Sequence, residues 1–149
     1  MDANKVKIWF SKIILTCYVL YLSYLTLFDK AYGRDTIHRS INIIPFKTIF
    51  QYLSGTLFTR AVIVNIFGNM TAFLPMGLLL PIVFKRCRNF VMCMTGVLIS
   101  SIFIEVLQYI TGVGASDIDD VILNAAGGII GFFIFIFGRI ILNKIGRVN

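Results

Sequence analysis

Charge is scarce in this chain. Lys, Arg, Asp and Glu together make up 14% of its 149 residues, against roughly 25% in ordinary soluble domains. There is a single histidine, His38, and there are three cysteines. No CxxC or Cys/His pairing at metal-ligand spacing occurs, so neither a disulfide framework nor a zinc site can be built from the sequence. Cys17 and Cys93 lie inside apolar runs and Cys87 in a basic loop, which marks them as free thiols. His38 stands alone in a loop, and no histidine, cysteine or activated serine falls near the polar groups described below, so a nucleophile–base pairing finds no support. Repeats and low-complexity linkers are lacking too. What remains is apolar: 58% of residues belong to the hydrophobic set, and 12 glycines add to that share. A domain this small cannot hide so much apolar surface from water. A soluble enzyme, a secreted disulfide scaffold and a disordered tail are all disfavoured, and a small multi-span membrane protein is expected.

Four apolar stretches carry the pattern, at about residues 8–28, 61–84, 90–111 and 121–142. Each is near the ~20 residues that a helix needs to cross ~30 Å of hydrocarbon. The first follows Lys5 and Lys7 but is long for a signal peptide, and no convincing small-residue cleavage site follows it, so it is read as a retained span. Trp9 is placed to anchor it at the interface and Lys12 to snorkel. Residues 41–58 are apolar with scattered polar groups and too short to span, which suggests an interfacial or re-entrant helix begun or bent by Pro45. The expected fold is therefore an all-α membrane protein, one domain over 1–149, with a bundle of about four transmembrane helices and an interfacial or re-entrant helical segment between the first two. Pro75 and Pro81 fall inside the second span, where they are expected to kink it and free backbone groups. Gly127 and Gly131 form a GxxxG, the signature of a close helix contact.

A net charge of +7 is compatible with nucleic-acid binding, but the basic residues sit in small groups beside the apolar runs. In a membrane protein that arrangement reports topology, and no nucleic-acid partner is expected. Lys5, Lys7, Lys12, Lys85, Arg86, Arg88, Arg139, Lys144 and Arg147 fall on one side. The loop between the last two spans has no basic residue and three aspartates. Both termini are thus expected in the cytoplasm, although Lys30, Arg34, Arg39, Lys47 and Arg60 would then all lie outside.

With that topology the polar residues that do not belong in a membrane gather at one depth. Asn65 and Asn69 are one turn apart in the second span. Glu105 and Gln108 are three apart near the end of the third. Asp117, Asp120 and Asn124 share one face at the start of the fourth, and Asn42 lies in the preceding loop. An ionisable group inside a span costs up to about 3 kcal/mol on insertion scales, so it usually serves a function. Three helices placing carboxylates and amides at the same level suggest a polar cavity open to the outside, with these residues as ligand-binding candidates. Each has a structural alternative. The asparagines can glue helices, the aspartates suit the positive end of a helix dipole, and Ser116 with Asp119 matches a capping box. Glu105, Asp117 and Asp120 would be hard oxygen ligands if a divalent cation were held, but no cofactor is called for.

The motifs INIIPF at 41–46, NIFGNMTAFLPMGLLL at 65–80 and IEVLQYITGVGASDIDDVILNAAGG at 104–128 resemble, in order, those of the VanZ family of bacterial membrane proteins. The likeness implies a multi-pass protein of the bacterial cell membrane. It also implies a link to resistance against teicoplanin-type glycopeptides. The family pattern falls on Asn42, Pro45, Phe46, Asn69, Pro75, Gly77, Glu105, Gln108, Asp117, Asp120, Asn124 and Gly127. Many relatives carry an arginine where this chain has Val113, so a basic partner for the carboxylates is either missing or supplied by Arg39. Three functions stay open: recognition of a glycopeptide, lipid headgroup or cell-wall precursor; a membrane-embedded enzyme on a lipid-linked substrate, with Glu105 and Asp120 as acid and base; and a channel, which would need an oligomer.

Overall fold

The computed structural model describes residues 3–28, 41–54, 59–113 and 116–145. Four long helices form: α1 (Ala3–Phe28), α3 (Thr59–Val83), α4 (Phe90–Thr111) and α5 (Ile118–Ile145), with the short helix α2 (Lys47–Leu53) between α1 and α3. A 3₁₀ turn (Lys85–Arg88) joins α3 to α4. All four long helices have the length and hydropathy of membrane spans. They match the four expected stretches, with α5 extending past its expected window at both ends. The chain is a multi-pass membrane protein, and α2 stands where the interfacial or re-entrant segment is expected.

Two short strands are the feature that periodicity does not announce. Strand β1 (Ile41–Asn42) pairs in parallel with β2 (Ser116–Asp117), Ile41 opposite Ser116 and Asn42 opposite Asp117. Two residues on each side are too few to read as strands from sequence. Their pairing pins the segment before α2 to the start of α5.

Small residues draw α3 and α5 together. A Cβ on Gly127 would lie 2.0 Å from the Met70 carbonyl oxygen, and one on Gly131 would lie 2.0 Å from that of Leu74. The expected GxxxG contact thus forms, and α3 is the helix it meets. Lipid tails are as apolar as leucine, so close packing of this kind, more than any hydrophobic drive, holds spans to each other. Leu22, Phe73, Met76, Cys93, Met94, Val97, Ile104 and Phe132 form the core between the four helices. Phe90 meets Phe132 edge to face at 5.4 Å between ring centroids.

Helix α3 continues through Pro75 and Pro81. Proline at position 81 has no N–H to offer the carbonyl four residues back, at Gly77. The Cys93 thiol of α4 donates to that freed oxygen at 3.7 Å. Asn89 caps α4 by accepting from Met92 N at 3.2 Å. At the other end Gly112 takes a φ of 69° and Val113 N returns to Gln108 O at 3.2 Å, a glycine-terminated stop. At the first turns of α1, Lys12 Nζ sits 5.8 Å from the Trp9 ring centroid, joining the two expected interface residues.

Candidate functional site

The polar residues come together at one end of the bundle, opposite the 3₁₀ turn with Lys85, Arg86 and Arg88. The short helix α2 begins badly on its own terms. Its N-cap residue, Phe46, has no side-chain acceptor and sits at φ 65°, a left-handed conformation that is rare outside glycine. The first-turn N–H groups of a helix must nonetheless find acceptors. Asp119 supplies them from α5. One of its oxygens accepts from Phe46 N at 2.5 Å. The other accepts from Thr48 N at 2.7 Å and Ile49 N at 3.1 Å. The Asp119 side chain is wholly buried, and its negative charge faces the positive end of α2. The expected capping box of Ser116 with Asp119 does not form, because Ser116 is taken into β2 and the carboxylate caps the other helix.

Asp117 completes the attachment. Its Oδ1 accepts from Asn42 Nδ2 at 2.9 Å, and its Oδ2 accepts from the Thr48 hydroxyl at 2.5 Å. Asn42 Nδ2 also reaches Thr48 Oγ1 at 3.1 Å. The Asp117 N–H donates to Glu105 Oε2 at 2.9 Å, which ties α4 into the group. Glu105 is buried.

A second network runs in line through α2, α3 and α5. Asn65 Nδ2 donates to the Tyr52 hydroxyl at 2.6 Å. Asn69 Nδ2 donates to Asn65 Oδ1 at 3.0 Å and to Asp120 Oδ1 at 2.6 Å. Burial pushes the Tyr52 phenol above its ordinary value of 10.0. The Asn65 amide, which would favour the phenolate, opposes that shift, while the negative charges of Asp120 and Asp117 add to it.

The remaining candidates lie apart from these two networks. Gln108 is buried and turns to α1, where its Nε2 donates to Thr26 O at 3.0 Å. That satisfies one of the carbonyls left over at the α1 C-terminus. Asn124 lies one turn below Asp120, its Nδ2 donating to Ser101 Oγ at 2.9 Å. Its Oδ1 is buried and unpartnered among the described residues. Arg39 and His38 fall outside the described residues. Among the described residues no three His, Cys, Asp or Glu side chains come together to hold a metal ion. The divalent site suggested for Glu105, Asp117 and Asp120 is therefore not assembled: Asp117 is spent on Asn42 and Thr48, Asp120 accepts from Asn69, and Glu105 accepts from the Asp117 backbone.

Thr48, Tyr52, Ser101 and the α2-capping role of Asp119 are missed by sequence reasoning. Thr48 and Tyr52 are four residues apart and share a helical face, which is the one available signal. Nothing in the chain says which helix Asp119 would cap.

The VanZ/LLP1 family matches residues 15–142, the stretch that contains every residue of both networks. The chain is 33% identical over 129 residues to Protein VanZ of Enterococcus faecium, covering 84% of this chain and 73% of that protein. No solved structure matches. The matched span, the identity and the four apolar helices agree, and the chain belongs to the VanZ/LLP1 family.

Proposed function

We propose that this protein sits in the bacterial cell membrane with both termini in the cytoplasm. In this reading it uses the polar end of its bundle, facing outward, to recognise an envelope-associated molecule. The ligand is a glycopeptide antibiotic, a lipid headgroup or a cell-wall precursor, and recognition contributes to teicoplanin-type resistance. The observation that carries this reading is the convergence of Glu105, Asp117 and Asp120 with Asn42, Asn65 and Asn69 at one level of a membrane bundle. Groups this polar are costly there unless they are used. The orientation is supported by the basic residues of the α1 N-terminus, the 3₁₀ turn and the α5 C-terminus, which all fall at the other end.

The test is teicoplanin susceptibility in cells that carry the wild-type chain, no chain, Glu105→Gln or Asp120→Asn. Deletion and both substitutions raise susceptibility if the reading is right. Unchanged susceptibility in the deletion strain refutes the resistance role. Loss on deletion with full activity of both variants removes the site from it. Labelling of a cysteine placed at Ser116 in intact cells tests the orientation: reaction with an impermeant thiol reagent places that end outside.

A further inference from the structure

Helix α2 has three faces, and they are sorted by chemistry. At roughly 100° per residue, Thr48, Ile49 and Tyr52 point toward the bundle, and all three are half-buried. A second face carries Lys47, Gln51 and the following Ser54, all polar and exposed. The third carries Phe46, Phe50 and Leu53, spaced four and three apart, with exposures of 50%, 67% and 68%. Ile43 and Ile44, just before the helix, are exposed as well. A helix lying wholly in water has no use for the third face, and one lying wholly in hydrocarbon has no use for the second.

The level of the helix is fixed by its partners. Tyr52 is bonded to Asn65, about one helical turn below Ala61, where the apolar run of α3 opens. Its N-terminus is held by Asp119 in the first turn of α5. The two contacts bracket the level at which spans enter the hydrocarbon, one about a turn inside it and the other just outside. Seven residues rise only about 10 Å, far short of a crossing.

We infer that α2 lies along the boundary between hydrocarbon and water, with Phe46, Phe50 and Leu53 against the acyl chains of the leaflet that holds the carboxylates. The occupant of the apolar face is lipid. Lys47, Gln51 and Ser54 face the water and headgroup side. An interfacial helix of this kind buries its apolar face ~5–10 Å into the headgroup and acyl region. The bonds from Asp117 and Asp119 hold it at that depth, independently of what the polar cluster binds.

Tryptophan fluorescence of the full chain in phosphatidylcholine vesicles tests this. With Trp9→Phe removing the native indole, single tryptophans are introduced by Phe50→Trp or Gln51→Trp, both at exposed positions. The vesicles carry either ordinary acyl chains or chains brominated near the ester end. Bromine is expected to quench Phe50→Trp roughly twofold and Gln51→Trp little, as befits a helix lying at that shallow depth. Aqueous acrylamide reverses the order. Three results overturn the inference. Quenching of Phe50→Trp by acrylamide but not bromine means that the stripe faces water. Protection from both means that protein covers it, as in a second copy of the chain. Equal bromine quenching of the two variants means that the helix is fully immersed.

Discussion

The attachment of α2 through one carboxylate is the sharpest point at which to test the structure. Asp119→Ala removes the acceptor for Phe46 N, Thr48 N and Ile49 N at once. A hydrogen bond to a charged group contributes about 1.5–3 kcal/mol net. Three at the low end would amount to ~4.5 kcal/mol, but water reaches the first turn of α2 once it lifts, so about 3 kcal/mol is the better expectation. That corresponds to roughly hundredfold faster opening of residues 41–53, whereas the α3–α5 contact at Gly127 and Gly131, which does not involve Asp119, stays closed. Hydrogen exchange followed by mass spectrometry in lipid nanodiscs reads both regions in one sample. Asp119→Asn should fall between wild type and the alanine variant, because its Oδ1 can still accept from Thr48 N and Ile49 N while its amide group turns a donor toward Phe46 N. The reasoning is refuted if protection of 41–53 is unchanged. It is equally refuted if the spans lose protection to the same degree, which would make Asp119 a support of the whole bundle.

Other predictions separate local causes in the same way. Gly131→Val drives a side chain into the Leu74 carbonyl region and should cost about 1–3 kcal/mol or more, lowering the thermal midpoint in detergent. Gly138→Ala meets open space, so the midpoint should hold or rise by what helix propensity supplies, up to about 1 kcal/mol. Asn124→Leu removes an amide whose oxygen is unpartnered among the described residues, so stability should be kept or gained; a clear loss of midpoint would show that the Ser101 bond matters more. Because the folded state raises the Tyr52 phenol above 10.0, it keeps its proton when the unfolded chain has lost it. The stabilisation is full below about pH 10 and fades as pH climbs through the higher folded value. Tyr52→Phe should flatten that alkaline decline in a pH series of melts.

The spans were legible because a run of ~20 apolar residues needs only local information to be read. The same holds for the GxxxG, whose partner helix was not given by the pattern but whose close contact was. The depth at which Asn69, Glu105 and Asp120 lie followed from counting along each span. Their pairings did not: Asn69 with Asp120 spans 51 positions and Asn42 with Asp117 spans 75. Gln108 shares a helical face with Glu105 yet ends on the α1 terminus, a choice made by where α1 packs.

Composition, the spacing of apolar runs and the sorting of lysine and arginine by themselves determined a four-span membrane protein with Glu105, Asp117, Asp119 and Asp120 gathered at one end. Only the tertiary structure decided what those acids do. Asp117 and Asp119 are committed to holding β1 and α2 against α5, while Asp120 joins a line of amides through α3. The physical reason is that hydropathy is a property of each segment and its solvent, whereas a hydrogen bond needs two groups within about 3 Å. Which groups meet depends on how closely glycines let α3 approach α5, and on a strand pair too short for any periodicity to reveal.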